Sequence, residues 1–221
     1  MDSPATTAAL SDTQQQHLLH KLDLFRLQGR DRRGRAVLRV VGKFFPARYV
    51  SVEALTKYLE ERVLPKLEDR QFAVVYVHAG VRRSENCPGI SALRSIYEAI
   101  PVSVKRNLEA VYFVHPGLQA RLFLATFGRL LFAGGLYEKI KYVNRVEFLW
   151  EEVRRKEVEL PEFVYELDDK MEHRPIMADS GSESDHLRLH HGASFVDPVG
   201  VSSYSMRCIA LKLESQPSKA R

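Results

Sequence analysis

The segment from Cys87 to Arg94 contains a thiol and a hydroxyl group that could serve as nucleophiles in two kinds of catalytic site, a phosphatase loop and a serine nucleophile elbow. Cys87 and Arg94 could bound a phosphatase loop, in which backbone amides and a guanidinium converge on one phosphate. That loop has one residue fewer between Cys and Arg than this chain has, and Pro88 removes an amide donor. Gly89 to Leu93 supplies only the first glycine of a Gly-x-Ser-x-Gly nucleophile elbow. We therefore predict no catalytic residue here.

Histidines are the other candidates for chemistry. His78 and His115 each directly follow an apolar run typical of a strand, where open α/β sheets carry functional loops. No serine, cysteine or carboxylate adjoins either ring in sequence, so we expect structural roles for both. His186, His190 and His191 form the densest group, but metal binding needs further ligands held in place. We predict no metal and no other cofactor.

Composition excludes several classes of protein. The 221 residues are 45% apolar and 28% charged, with two cysteines far apart and a net charge of +5. This argues against a disulfide framework and against a dedicated nucleic-acid binder. The N-terminus lacks the apolar region of a secretory signal. The apolar stretch 122–137 is interrupted by Arg129 and two glycines and is too short for a membrane-spanning helix. We expect a soluble, cytoplasmic protein that contacts membranes peripherally.

Alternating apolar runs and amphipathic segments must position these residues. Each β-branched run is followed by a helical pattern, the order of parallel crossover units, so we predict an α/β fold with a mixed, largely parallel sheet and flanking helices. Strands are predicted at 36–41, 72–77, 110–114 and 140–143, and helices at 12–26, 51–64, 90–100, 118–132, 145–155 and 163–171. The organisation is a lead-in at 1–28, a domain at 29–175 and a mostly disordered tail at 176–221.

The predicted helix 118–132 is apolar around more than one face. Phe123, Phe127, Leu130 and Leu131 form one stripe, which is typical either of a core helix or of a helix that covers an apolar ligand or partner. The surrounding charge is one-sided, and such a rim could contact a phospholipid head group or an anionic leaflet. The basic residues concerned are Arg121, Arg129, Lys139 and Lys141.

Several motifs together resemble the divergent CRAL-TRIO domains. These motifs are Asp31-x-x-Gly34-Arg35, Val41-x-Lys43-x-Phe45-Pro46, His78 after its strand, and the segment from Leu108 to Pro116 with its Val-His-Pro end. The similarity covers about 30–155 and extends to Sec-fourteen-like and BCH-like members and to the C-terminal domains of ganglioside-induced differentiation-associated proteins of the macro-domain type.

The resemblance implies a sheet that forms the floor of an apolar cavity, with the helix after Pro116 as its lid. It places the lid at 118–132 and the floor at Tyr76, Tyr112 and Phe113. The resemblance does not determine which face of the sheet each of these three side chains occupies. The expected ligand contacts are Tyr76, Tyr112, Phe123, Phe127, Leu130 and Leu131.

The resemblance also implies the function. Members bind or transfer phosphoinositides and other hydrophobic molecules, so we predict a non-enzymatic lipid or hydrophobic-ligand binder that associates reversibly with anionic membranes. The BCH-like branch suggests the first alternative, a signalling scaffold that binds small GTPases or their regulators. A hydrolase with His78 and His115 at the strand ends is the weakest alternative.

Overall fold

Five strands form one mixed sheet. The computed structural model describes residues 10–67, 70–132 and 135–173. The strands lie in the order β1-β2-β3-β4-β5; only the β1–β2 pair is antiparallel. Their bounds are β1 (Phe25–Arg30), β2 (Ala36–Val41), β3 (Phe72–Val77), β4 (Leu108–Val114) and β5 (Ile140–Val143). The predicted α/β class and largely parallel sheet are confirmed.

Helices connect the parallel strands and cover both faces of the sheet. Within the described residues they are α1 (Asp12–Lys21), α2 (Val52–Tyr58), α3 (Arg83–Asn86), α4 (Ile90–Ala99), α5 (Val102–Asn107), α6 (Leu118–Leu131), α7 (Val146–Glu152) and α8 (Glu162–Glu172). A π-helical turn and a 3-10 turn continue α2 from Leu59 to Lys66, where Pro65 interrupts the regular helix. No described helix is long and apolar enough to span a bilayer.

Two apolar clusters pack on the sheet. On one face, Ala73, Val75 and Val77 of β3 join the cluster that α7 and α8 cover. On the other, α1, α2 and α5 cover the β2 side, where Leu38 and Phe72 contribute from the sheet. The side chains of each strand alternate between the two faces. The strands lie in the sheet in sequence order, so the part of the second face that β4 and β5 form is left for α6, which connects these two strands.

Strand β1 corrects the prediction of a helix reaching residue 26. Helix α1 ends at Lys21, and Asp23 then adopts a left-handed backbone conformation with φ 49°, which turns the chain. Phe25 and Leu27 pair with Val40 and Leu38 of β2. Pairing with a neighbouring strand, rather than the local pattern, therefore determines the structure of this polar-rich segment.

The segment after α7 covers the outer edge of β1. Val153 bridges Asp31, and the Arg32 amide donates to the Glu152 carbonyl at 2.8 Å. Gly29, with φ 61°, passes so close that an added Cβ would lie 2.5 Å from the Glu157 carbonyl oxygen. These contacts explain why α7 stops at Glu152 instead of continuing to residue 155 as predicted. They also protect the edge from pairing with other chains.

The first resemblance motif builds the β1–β2 turn. The fully buried Asp31 carboxylate accepts hydrogen bonds from the backbone amides of Arg33 and Arg35, at 3.0 and 2.8 Å. It also accepts from Arg35 Nε at 2.6 Å, while Gly34 supplies a positive φ of 82°. The Asp-x-x-Gly-Arg pattern is therefore explained by turn geometry and by neutralisation of a buried carboxylate.

Candidate functional site

An aromatic row crosses the second face of the sheet. Tyr76, Phe113 and Tyr142 occupy matching register positions on β3, β4 and β5. The Tyr76 and Phe113 rings are stacked with centroids 4.9 Å apart, and Tyr142 meets Phe113 edge-on at 6.2 Å. Tyr76 and Phe113 are only half-buried, and none of the three rings belongs to either core cluster. The row is an aromatic surface without the close cover that a core would give it.

The Tyr76 end of the row is enclosed. An added Cβ on Gly42 would lie 2.5 Å from Tyr76 Oη and 2.8 Å from a Val81 methyl carbon, so these groups are tightly packed. Burial raises the pKa of the Tyr76 hydroxyl. Nothing larger than the glycine hydrogen fits at position 42, which makes this end of the row a closed wall.

His78 lies beside that wall and stacks on Phe113, with ring centroids 5.2 Å apart. Its Nδ1 is buried and has no hydrogen-bond partner among the described residues. Burial lowers the pKa of His78 to about 4, because the charged imidazolium would lose its hydration. The ring is therefore neutral at physiological pH and can offer a ligand one neutral hydrogen-bonding atom.

The opposite end of the row is open and ends at a guanidinium. Tyr142 is 40% exposed, and Arg121 Cζ lies 5.8 Å from the centroid of its ring. Arg121 Nε donates to the Pro116 carbonyl at 3.2 Å, and Nη2 donates to Asn144 Oδ1 at 2.6 Å. The two hydrogen bonds and the aromatic contact hold this cation in place at the N-terminal turn of α6.

Helix α6 presents two different sides. Phe123 and Phe127 are half-buried with ring centroids 5.6 Å apart, and Leu124 between them is buried. Leu118 and Leu122 are 62% and 58% exposed. No described residue of α6 belongs to either core cluster. Leu130 and Leu131 lie in its last turn, and their side chains fall outside the described part of the structure.

Tyr112 corrects the predicted set of ligand contacts. It lies one residue before Phe113 and points to the opposite face, where it is fully buried in the cluster under α7. Its hydroxyl donates to Glu152 Oε2 at 3.0 Å, and burial together with this bond raises the pKa of Tyr112 to about 12. Tyr112 therefore cannot share a binding surface with Tyr76.

The four predicted basic residues do not form one rim. Lys141 lies on the Tyr112 face and pairs with Glu152 at 2.7 Å. The Lys139 amine donates to the Leu108 carbonyl, and Arg129 sits 5.6 Å from the Tyr137 ring. Of the four, Arg121 is the one that lies against the aromatic row.

A buried histidine and aspartate form a pair that the sequence reasoning missed. His115 Nε2 lies 2.8 Å from Asp168 Oδ1, and the His115 side chain is fully buried. Asp168 also accepts a 2.9 Å bond from the Val146 amide and lies 3.3 Å from Arg145 Nε. Burial alone would raise the pKa of Asp168, but these hydrogen bonds and charges outweigh it and lower the pKa. The pair ties the loop before α6 to α8.

The nucleophile candidates are not arranged for catalysis. Burial raises the pKa of the Cys87 thiol, with partial compensation from the charge of Arg83, so the thiolate is disfavoured. Arg94 pairs with Glu98 at 2.7 Å along α4 instead of meeting the thiol in a phosphate loop. Among the described residues, no three His, Cys, Asp or Glu side chains could share a metal ion. His186, His190 and His191 lie outside the described residues.

The chain is similar in sequence to known proteins over more than half of its length. The chain is 29% identical to the GDAP2 homolog of Drosophila melanogaster over 140 residues, 63% of this chain and 25% of that protein. It is 30% identical to the GDAP2 homolog of Nematostella vectensis over 169 residues, 75% of this chain and 31% of that protein. Human ganglioside-induced differentiation-associated protein 2 is 30% identical over 143 residues, covering 63% of this chain and 28% of the human protein.

The chain thus spans about a quarter to a third of the length of these relatives. The family model described as "Divergent CRAL/TRIO domain" matches residues 34–170, which include every strand from β2 to β5 and the aromatic row. On this match and the mixed sheet with its flanking helices, the chain belongs to the divergent CRAL/TRIO family.

Proposed function

We propose that this domain binds a hydrophobic small molecule between the aromatic row and α6, without catalysing a reaction. The observation that carries the proposal is the half-buried state of two aromatic sets, Tyr76 with Phe113 on the sheet and Phe123 with Phe127 on the helix. Partly exposed rings that belong to no core cluster leave apolar area that a ligand can cover. The family resemblance supports the same ligand chemistry.

The proposed binding unit is the domain at residues 29–175, with residues 1–28 as a lead-in. The wall at Tyr76 limits the ligand on one side, and the open end at Tyr142 is its route of entry. The predicted tail, 176–221, lies outside the described residues.

The experiment is native mass spectrometry of the purified full chain, followed by solvent extraction of any bound molecule. We expect a stoichiometric apolar species that is lost in Phe113→Ser and kept in Tyr112→Phe. These two variants are matched because they change neighbouring aromatic residues on opposite faces of one strand. An apo mass that persists after incubation with mixed liposomes would contradict the proposal.

We also propose reversible contact of α6 with anionic bilayers. Leu118, Leu122 and Arg129 are exposed at helical spacing and share one stripe of the helix. Exposed leucines beside a cation suit the apolar and anionic layers of a membrane surface. Contact with the cytoplasmic leaflet, which carries the anionic lipids, belongs to this proposal.

The second candidate function is a scaffold for a small GTPase or its regulator. The enclosed Tyr76 end favours it, because there the protein's own side chains already fill the space against Gly42 and Val81. In that case the exposed leucines of α6 would contact a protein. A protein that stays free of ligand after incubation with mixed liposomes, and that captures a GTPase through α6, would favour this function over ligand binding.

A further inference from the structure

Arg121 is the feature that points to the chemistry of the ligand, an inference that rests on the proposed function. The aromatic row runs from the wall at Tyr76 through Phe113 to Tyr142, and the Arg121 guanidinium lies 5.8 Å from that last ring. Three neighbouring strands span about 10 Å at ordinary strand spacing. A hydrocarbon chain that lies across these rings would therefore end beside a cation at the Tyr142 end of the row.

The charge of Arg121 is not neutralised by a carboxylate within the described part of the chain. Among the described residues, its hydrogen-bond acceptors are the Pro116 carbonyl and the Asn144 side-chain oxygen, both uncharged. Arg145, also at this edge of the sheet, is paired with Asp168 at 3.3 Å and Glu172 at 3.0 Å. A half-buried guanidinium held by neutral acceptors retains a full positive charge for a ligand.

The donors of Arg121 suit a carboxylate. Nε and one N–H of Nη2 are engaged with protein oxygens, so both N–H groups of Nη1 and the second N–H of Nη2 remain for a further acceptor. Guanidinium and carboxylate form short, charge-assisted hydrogen bonds, and one positive charge balances one negative charge.

An inositol polyphosphate head group fits this end of the row less well, because it carries several negative charges. Lys141 lies on the opposite face, and Lys139 and Arg129 contact the Leu108 carbonyl and the Tyr137 ring. His78, at the other side of the row, is neutral at physiological pH. The described residues offer one cation at the row and therefore a site for one anionic group.

We infer that the ligand is a monocarboxylic amphiphile, such as a long-chain fatty acid, whose carboxylate binds Arg121 and whose hydrocarbon chain covers Tyr142 and Phe113. The aromatic row supplies the apolar contact area, and Arg121 selects the charged head group. Affinity for the acid should then exceed affinity for its uncharged ester.

The test measures binding of oleate and of methyl oleate to the full chain, without vesicles, for the wild type and three variants. Arg121→Gln removes the charge, Arg121→Lys keeps it, and Arg129→Gln removes a charge elsewhere on the same helix. We expect the wild type to bind oleate at least tenfold more tightly than the ester. Arg121→Gln should weaken oleate binding about tenfold or more and leave ester binding unchanged.

In Arg121→Lys, oleate binding should be partly retained, and Arg129→Gln should bind both probes as the wild type does. Thermal unfolding of each variant shows whether the fold survives the loss of the bonds to Pro116 and Asn144. If Arg121→Gln does unfold, the inference is tested by the Arg121→Lys variant and by the acid-to-ester ratio of the wild type.

Three results would overturn the inference, and they separate it from the proposed function. Equal affinity for acid and ester would leave the hydrophobic site in place but remove the role of the carboxylate. If neither soluble probe binds, and a separate flotation assay shows binding to vesicles that contain phosphatidylinositol phosphates that is lost in Arg121→Gln, Arg121 binds a lipid phosphate instead. Failure of both soluble probes, together with no effect of Phe113→Ser on any retained molecule, would contradict the proposed function itself.

Discussion

His115 and Asp168 are joined by a buried hydrogen bond, with Nε2 and Oδ1 2.8 Å apart, although 53 residues separate them in sequence. His115 adopts φ 51°, a conformation that is uncommon for residues other than glycine. It directly precedes Pro116, whose carbonyl accepts the bond from Arg121. The pair therefore connects α8 to the loop that positions Arg121 and the start of α6.

Replacing Asp168 with Asn should destabilise the fold by about 1.5–3 kcal/mol at neutral pH, because charge-assisted hydrogen bonds are lost in a buried place. Urea unfolding followed by circular dichroism measures the change. Asp169→Asn is the matched control, since the neighbouring Asp169 is exposed. Equal stability of the Asp168→Asn variant and the wild type would show that the pair contributes little.

The same pair predicts a pH dependence. The pKa of Asp168 is lowered in the folded state, so its carboxylate stabilises the fold at all pH values above the unfolded pKa of about 4. That contribution is lost as the pH falls through the lower, folded-state pKa. The stability difference between wild type and Asp168→Asn should therefore shrink as the pH falls below about 4. A difference that grows as the pH falls below about 4 would contradict this assignment.

Tyr112→Phe should lower stability by about 1 kcal/mol, since it removes the hydroxyl that donates to Glu152. It should not change the retention of an apolar molecule, because Tyr112 lies on the face away from the aromatic row. Chemical unfolding and solvent extraction of the purified variant measure the two effects. Loss of a bound molecule without loss of stability would return Tyr112 to the binding site.

Phe127→Ala should reduce ligand retention at least tenfold while lowering stability by only about 1–2 kcal/mol, because the ring is half-buried. A ring in the core would cost about 3–5 kcal/mol on the same change. Thermal unfolding and extraction distinguish the two cases. Leu122→Ala is the control on the exposed side of α6, and its stability should stay within about 0.5 kcal/mol of the wild type.

Membrane contact through α6 should separate into an apolar and an electrostatic part. Leu122→Ser should weaken flotation with anionic vesicles at every salt concentration, because it removes inserted apolar area. Arg129→Glu should weaken flotation at about 0.1 M salt, and its difference from the wild type should vanish near 1 M, where charges are screened within about 3 Å. If both variants float like the wild type at low salt, the exposed stripe does not contact the bilayer.

Local pattern was sufficient for the elements with the strongest apolar content. The strands at 72–77 and 140–143 and the start of α6 at Leu118 occur where the sequence predicts them, because runs rich in β-branched and aromatic residues and helical spacing are local properties. The resemblance to divergent CRAL-TRIO domains was also recognisable from short motifs, since the Asp31 turn needs its residues at fixed spacing.

Tertiary structure alone decided which side chains come together at the candidate site. Residues 72–77 are apolar at every position, and such a run carries no alternation to show which face each side chain takes, so Tyr76 and Tyr112 could not be separated. The sequence likewise does not show that Lys141 lies on the Tyr112 face, away from Arg121. Strand β1 required the partner β2, and His115 required Asp168 from the other end of the domain. Strand pairing and helix packing bring distant residues together, and a single sequence records the residues but not those distances.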